Sequence, residues 1–335
     1  MLNRLAFGVI FILLLPCLLA AGTSEIYDYK VSGFEYHDYE LAVNLLVKSF
    51  EEQKKLVPGE TGLIALRVYT HSGPGLCTPH KLVLALCKYL ERCGFKKENI
   101  LIVGDSKNSL QQCGYLPRLS QQSRIGLTFH RMPVFWVDDK KFHDERWAYT
   151  STLASDKILL HANFWLDNGP NDLHKSYLPT LLMFGVDGWI DLPIYTGSFE
   201  HGVIGSLVHG SIFNISNNKR FLANPTNCAV AAAQIFAIQE LKDKFLFTIT
   251  TLEHFQYCDS LQYNENYTCS LPHVLLSSDP VALDSLCLKV LNNTKKIYKF
   301  RFMHDQPAIF RYAEELDVGN PHCTITKVNK KKGSR

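Results

Sequence analysis

The chain has 335 residues, of which 46% are hydrophobic and 20% are charged, and its formal net charge is +3. This is the composition of an ordinary globular protein, and the length suffices for one large domain or two small ones. The small net charge and the lack of a basic stripe interleaved with aromatic residues argue against a nucleic-acid partner.

The N-terminus has the pattern of a secretory signal peptide. Arg4 precedes an apolar run over residues 5–19, and small residues follow up to Gly22. A run of this length is short for a membrane-spanning helix. The pattern predicts that residues 1–22 are a signal peptide and that the product is exported, either periplasmic or secreted, with no membrane attachment after cleavage. The alternative is an uncleaved membrane anchor.

Nine of the ten cysteines remain after this cleavage. An oxidising compartment favours pairing, and an odd number leaves at least one thiol free. Cys258 and Cys269 flank a polar loop and are the predicted local disulfide. No two cysteines have the C-x-x-C spacing, so no iron–sulfur cluster is expected.

The clearest unit of regular structure is a strand, a helix and a second strand. Apolar runs at residues 62–69 and 99–103 predict the two buried strands. Between them, Thr78 can cap a helix that begins at Pro79 and ends at Gly94. This spacing predicts a right-handed crossover between parallel strands.

Further runs extend this pattern along the chain. Strands are predicted at 127–130, 134–137, 157–161, 188–195 and 245–251, and helices at 39–56, 176–184, 228–241 and 280–291. The order predicts an α/β fold, with an open, mostly parallel sheet and helices on both faces, in a single domain. The predicted boundaries are an N-terminal arm and helix at 23–60, the α/β domain at 61–293 and a C-terminal extension with a basic tail at 294–335.

A polar or titratable side chain follows each predicted core strand. Because the carboxyl ends of parallel strands share one edge of a sheet, residues far apart in the sequence are expected to meet there. Histidines and carboxylates together can bind a divalent metal or act as acid and base. The candidate catalytic residues are His71, Asp105, His161 and His201, and the three histidines are also the candidate metal ligands.

The segments after the first two strands provide candidate ligand-binding residues. The loop with Ser72, Gly73 and Gly75 precedes a helix, so its backbone N–H groups could face an anion. Ser106 follows the second strand. A single histidine after a strand is more often a hydrogen-bonding loop residue than a ligand, so each histidine also has this simpler interpretation.

Two carboxylates near the last predicted helix complete the candidate set. Asp279 and Asp284 stand at its start, and both are candidate ligand-binding residues. Asp279 also fits a purely structural role as the N-cap. His209 is interpreted as structural.

Three segments together resemble domain-of-unknown-function family 362, in particular its exported bacterial branch. They are THSGPGLCTPHKLVLALCKYLERCGF with the following ENILIVGD, then DLPIYTGSFEHGVIGSLVHGSIFNISNNKRF, and finally SSDPVALDSLCLKVL, which is the most specific. The likeness spans residues 62–291. It implies the fold and a site, with no established reaction.

The resemblance adds weight to Asp105, His201, Asp279, Asp284 and the loop from Ser72 to Gly75. The chain departs from the family in two places. Relatives carry a Lys-Asn pair where this chain has Val208, His209 and Gly210, so a role of that lysine is not inherited. Many relatives carry a four-cysteine cluster module that this chain lacks, so electron transfer through such a cluster is not inherited either.

Two kinds of function follow from the sequence. The first is an exported enzyme, or a remnant of one, with a pocket at the strand carboxyl ends for a small anion or a metal-chelating molecule. Its cofactor is unidentified, and a divalent metal is the one that the histidines and carboxylates suit. The alternative is a noncatalytic protein, either a periplasmic ligand- or metal-binding protein or a secreted interaction protein.

Overall fold

A central sheet organises the molecule. The computed structural model describes residues 24–117, 126–151, 175–198, 201–301 and 307–329. The strands in these ranges are β1 (Ser24–Lys30), β2 (Ile64–Val68), β3 (Ile100–Gly104), β4 (Thr128–Phe129), β5 (Met132–Trp136), β6 (Ala148–Tyr149), β7 (Ser176–Tyr177), β8 (Gly188–Leu192), β9 (Thr196–Ser198), β10 (Gly202–Ile204), β11 (Phe245–Thr251), β12 (Phe255–Gln256), β13 (Thr268–Cys269), β14 (His273–Ser277) and β15 (Cys323–Lys327).

Helices connect and cover these strands. The α-helices in the same ranges are α1 (Tyr36–Glu51), α2 (His80–Arg92), α3 (Lys107–Gln112), α4 (Thr180–Phe184), α5 (Ser206–Gly210), α6 (Lys219–Leu222), α7 (Pro225–Phe236), α8 (Gln239–Lys242), α9 (Pro280–Ile297) and α10 (Ala308–Glu315). Short 3-10 helices cover Lys97–Asn99, Lys140–Phe142, Glu145–Trp147, Ile212–Asn214 and Glu265–Tyr267.

In the described part of the chain, the main sheet has nine strands in the order β15-β1-β14-β11-β8-β2-β3-β5-β4. The five neighbours β11, β8, β2, β3 and β5 are parallel, whereas β14 and β4 run antiparallel to their neighbours. The protein therefore has the predicted α/β fold with an open, mostly parallel sheet. The carboxyl ends of the five parallel strands share one edge.

Alternation of side chains along β2 builds a core on each face of the sheet. Ile64, Leu66 and Val68 pack with α1 and α2 on one side. Ala65 belongs to the core on the other side, which includes residues of α5, α7 and α9. Since side chains two apart share a face, Arg67 also points to that second side.

The connection from β2 to α2 differs from the predicted cap. Thr78 does not cap α2, because its hydroxyl is used between two strand ends. The Thr78 hydroxyl accepts a hydrogen bond from Tyr69 N at 2.8 Å and donates one to Leu192 O at 2.6 Å. Thr78 thus joins the ends of β2 and β8, and Pro79 precedes the first helical residue.

Both terminal segments contribute strands to the main sheet. β1 lies between β14 and β15, and β15 pairs with it in parallel, with Ser24 opposite Cys323. The sheet therefore includes residues on both sides of the boundaries predicted at 61 and 293.

The predicted Cys258–Cys269 disulfide is not formed. The nine cysteines in the described ranges are free thiols. The β12–β13 hairpin places Phe255 opposite Cys269, and Tyr257 N donates to Tyr267 O. This register offsets Cys258 from Cys269 along the hairpin, so the two side chains do not face each other.

Some predictions fall outside the described residues. These are the signal peptide at 1–22 and the strand at 157–161 with His161. Among the residues that the structure does describe, no helix has both the length and the hydrophobicity needed to cross a membrane.

Candidate functional site

A row of polar side chains crosses the sheet near the carboxyl ends of the central strands. Arg67 on β2 is in register with Asp191 on β8, and Asp191 is in register with Thr248 on β11. All three residues are fully buried. Because paired residues on neighbouring strands share a face, the three side chains lie side by side beneath α5.

The Arg67 guanidinium is saturated by acceptors from within the protein. These are Val68 O at 2.8 Å, Val103 O at 3.3 Å, Phe213 O at 2.7 Å and the side chains of Asn214 and Asp105. Burial acts to raise the pKa of Asp105, but the Arg67 charge outweighs it and holds that pKa below its ordinary value. Arg67 therefore has no N–H left for a ligand.

His209 on α5 forms a buried pair with Asp191. Its Nδ1 donates to Asp191 Oδ1 at 2.6 Å, and both side chains are fully buried. Ser206 Oγ donates to the second oxygen of Asp191 at 3.0 Å and lies 2.5 Å from Thr248 Oγ1. Since the only Ser206 hydroxyl proton is used on Asp191, Thr248 donates to Ser206. The arrangement leaves His209 Nε2 as an acceptor.

The far nitrogen of His209 stands out within this network. His209 Nε2 is buried and has no hydrogen-bond partner among the described residues. A buried polar atom without a partner costs roughly 1–3 kcal/mol, and such atoms in folded proteins often mark a functional group or a bound water. The rings of Tyr69 and Phe213 lie nearest, with centroids 5.4 Å and 6.2 Å from that of His209.

Asp284 positions the short helix that carries His209. Its Oδ1 accepts from Ser206 N at 2.7 Å and from the Tyr195 hydroxyl at 2.8 Å, and its Oδ2 accepts from Leu207 N at 2.9 Å. A Cβ at Gly205 would lie 2.5 Å from Asp284 Oδ1, so only glycine permits this approach. Asp284, predicted as a ligand-binding residue, is thus committed to the N-terminus of α5.

Two of the predicted residues lie near His209 at the strand edge. His71 is partly exposed and stacks on Phe213 with ring centroids 4.4 Å apart, and burial of the imidazole lowers its pKa below the ordinary value. Ser72 Oγ lies 2.6 Å from the Tyr69 hydroxyl. Both therefore border the same buried region as the Asp191–His209 pair.

The predicted anion-binding loop is largely engaged with the protein itself. Gly73 N donates to Thr70 O at 3.4 Å, and its φ of 88° is one that glycine favours. A Cβ at Gly75 would lie 2.2 Å from the Tyr263 ring, so that ring covers the glycine. Ser106 Oγ accepts from Ser109 N at 3.1 Å and caps α3. These contacts engage part of the loop within the protein, and its role in binding an anion stays a prediction.

The remaining predicted residues lie elsewhere. His201 is buried, with Nε2 at 3.3 Å from Leu222 O, and it lines a separate cavity of about 250 Å³. Asp279 caps α9, because its Oδ1 accepts from Val281 N and Ala282 N at 2.8 and 2.9 Å. Neither His71 nor Asp105 lines the cavity that His201 lines, so the structure does not bring His201 into the pocket predicted to join it with His71, Asp105 and His161.

Metal binding gains no support from the described side chains. Within those ranges, no three His, Cys, Asp or Glu side chains form a group that could hold a metal ion. His71 and His201 contact different parts of the protein, and His161 lies outside the described ranges.

The sequence did not lead to Arg67, to Asp191 or to the pairing of Asp191 with His209. The candidate residues followed the strands, whereas Arg67 and Asp191 lie inside strands that are otherwise apolar. A charged residue within a buried strand was the available signal, because such charges need a partner.

Comparisons with known proteins add little. No protein-family model matches the chain, and no curated protein does, so the resemblance to family 362 stays a prediction. One similar solved structure is a Thermotoga maritima protein from a structural genomics consortium, with a TM-score of 0.40 and 10% identity over 81% of this chain and 60% of that one. Another is the lactate racemase apoprotein from Thermoanaerobacterium thermosaccharolyticum, with a TM-score of 0.39 and 9% identity over 81% of this chain and 57% of that one. The chain thus spans about three fifths of their lengths, and likeness this distant says nothing about activity.

Asp284 is expected to give the protein a distinctive pH dependence. Burial raises the pKa of Asp284 to about 7, against the three hydrogen bonds that it accepts. The folded state then binds a proton more tightly than the unfolded state, so stability should fall as the pH rises from about 4 to about 7. Each unit of pKa difference is worth about 1.4 kcal/mol.

Urea unfolding of wild type and of Asp284→Asn at several pH values tests whether Asp284 causes this pH dependence of stability. The difference in unfolding free energy between wild type and variant should shrink by a few kcal/mol across that range. Asp317→Asn is the control, because the Asp317 side chain is fully exposed. Parallel pH curves for wild type and Asp284→Asn would contradict the assignment.

Proposed function

We propose that the chain is an exported enzyme that transfers a proton on a small molecule at the carboxyl edge of the sheet, with His209 as the base. The observation that carries the proposal is the buried His209 Nε2, which lacks a hydrogen-bond partner among the described residues. A buried acceptor of this kind is stabilised when a donor on a ligand reaches it.

The surroundings of His209 suit a base. The hydrogen bond from Nδ1 to Asp191 selects the tautomer in which Nε2 carries the lone pair, and it stabilises the imidazolium that forms when Nε2 takes a proton. Ser206 donates to the second carboxylate oxygen and is itself held by Thr248, so the carboxylate has a hydrogen bond on each oxygen that fixes its orientation. The pair is therefore oriented before any ligand arrives.

Access to His209 requires movement of its cover. Tyr69 and Phe213 lie against the imidazole, and the loop at residues 71–77 follows Tyr69 directly. Ser72 ties the loop to the Tyr69 hydroxyl. Displacement of this loop would open the shortest route from solvent to Nε2.

A second function, a noncatalytic interaction protein, is favoured by a different observation. The polar groups at the strand edge are mostly satisfied internally: Arg67 has no donor left, and Tyr263 covers Gly75. When the polar groups of a site are hydrogen bonded within the protein, few of them are left to bind a substrate. The two proposals differ in whether His209 ever takes a proton from a ligand.

Deuterium exchange tests the first proposal without a known substrate. The protein is incubated in D2O with a panel of small carboxylic and carbonyl compounds, and mass spectrometry reads deuterium at carbon. At least one compound should gain deuterium with wild type, and His209→Gln should lower the rate about 100-fold or more, since general-base catalysis contributes on this order.

The matched control is His273→Gln. His273 forms a similar pair with Asp28, with Nδ1 at 2.7 Å from Oδ1, but it lies on β14, two strands from β8, and is no part of the Asp191 network. Its substitution should leave the exchange rate unchanged. If no compound exchanges with wild type, or if His209→Gln exchanges equally well, the enzyme proposal fails and the interaction protein is favoured.

Export is a separate part of the proposal, supported by the N-terminal pattern. Sequencing the N-terminus of protein recovered outside the cytoplasm should give a first residue near Gly22 or the next one, Thr23. Full-length protein held in the membrane fraction would instead support an uncleaved anchor.

A further inference from the structure

Two cysteines meet beside the strand edge. Cys77 lies in the loop after β2 and is partly exposed, and Cys113 lies just after α3 and is buried. Thr78, the residue after Cys77, donates its N–H to Tyr69 O at 3.0 Å, so the backbone at Cys77 lies beside Thr70, which Cys113 contacts. Each thiol contacts a carbonyl near that loop: Cys77 Sγ lies 3.6 Å from Pro74 O, and Cys113 Sγ lies 3.7 Å from Thr70 O.

The backbone around the two thiols is held on both sides. His80 Nε2 bonds to Cys113 O at 2.7 Å, and the buried Tyr115 hydroxyl donates to Thr78 O at 2.7 Å. These contacts join the residues that follow Cys77 to those around Cys113. The closeness of the thiols is therefore a consequence of packing rather than of a loose loop.

We propose that Cys77 and Cys113 form a disulfide in the exported protein, which fastens the loop at residues 71–77 to the end of α3. The proposal rests on the export part of the proposed function, because disulfides persist in oxidising compartments. It replaces the Cys258–Cys269 pairing, which the hairpin register does not permit.

The chemistry is thiol–disulfide exchange. The Cys77 thiolate attacks a disulfide-bearing oxidant, such as glutathione disulfide, and releases one thiol of that oxidant. Cys113 then attacks the Cys77 sulfur and releases the second thiol. The two cysteines lose two protons and two electrons, and the oxidant disulfide becomes two thiols.

Cys77 is suited to react first. The neighbouring Cys113 thiol lowers the pKa of Cys77, because it can donate a hydrogen bond to the Cys77 thiolate, and burial has the opposing effect. The same hydrogen bond and burial raise the pKa of Cys113. Since the thiolate is the nucleophile and Cys77 is the more exposed sulfur, the mixed disulfide forms there.

The bridge would restrict the cover of the proposed active site. Ser72 lies in the fastened loop and contacts the Tyr69 hydroxyl, and the Tyr69 ring lies beside His209. With this loop fastened to the end of α3, the loop is displaced less often, and His209 is exposed less often. The redox state of one cysteine pair would thus regulate access to the site.

The test uses the purified protein without residues 1–22, equilibrated in glutathione redox buffers. Free thiols are blocked with iodoacetamide, and the digest is mapped by mass spectrometry. A cross-linked peptide containing Cys77 and Cys113 should form as the buffer becomes oxidising. Cys258 and Cys269 serve as internal controls and should remain alkylated.

Two further measurements make the result specific. Cys77→Ser and Cys113→Ser should each lose the cross-link, and the oxidised wild type should unfold at a midpoint roughly 5–10 °C above the reduced form. Alkylation of both Cys77 and Cys113 in fully oxidising buffer, or a cross-link between other cysteines instead, would overturn the proposal. Because this readout does not depend on proton transfer, it fails or succeeds independently of the role of His209.

Discussion

The buried Asp191 carboxylate is the interaction on which the centre of the molecule depends. It lies on β8, the middle strand of the nine-stranded sheet, and accepts hydrogen bonds from His209 and Ser206, both on α5. A helix of five residues has no stability of its own, because the cost of nucleation is not recovered over so few hydrogen bonds. Asp191 from the sheet and Asp284 from α9 hold this helix at both ends of its short length.

The same arrangement explains why charge is tolerated in this core. Arg67, Asp191 and Thr248 form a row across three strands, and each has hydrogen-bond partners that offset the loss of water. Removing Asp105 would leave the Arg67 guanidinium charged and buried without its ion-pair partner, which typically costs about 3–5 kcal/mol. Only His209 Nε2 departs from this pattern in the described network, and the proposed function rests on that departure.

The strands could be predicted because they are apolar runs between turn residues. Residues 245–251 form β11 as predicted, the runs at 62–69 and 188–195 contain β2 and β8, and the run at 99–103 covers β3 except for Gly104. The predicted edge with His71 and Asp105 also exists, because parallel strands must end on the same side. These features depend on local pattern and on one rule of topology.

The site could not be predicted in the same way because it depends on which side chains pair with each other in the folded protein. Nothing in the sequence indicates that Asp191 binds His209, or that Asp284 binds the backbone of Ser206, since those contacts arise from the packing of α5 and α9. Thr78 and Asp279 illustrate the same point. Both can cap a helix, but only Asp279 does so, because the Thr78 hydroxyl lies between two strand ends.

The tautomer of His209 is the most direct test of this account. Two-dimensional NMR of protein labelled with ¹⁵N in histidine distinguishes the two ring nitrogens, with His209→Gln used to assign the signals. Nδ1 should carry a proton strongly deshielded by its hydrogen bond to Asp191, and Nε2 should carry the lone pair. A neutral ring with the proton on Nε2 would contradict this account, because the lone pair would then face Asp191 and no base would face the proposed site.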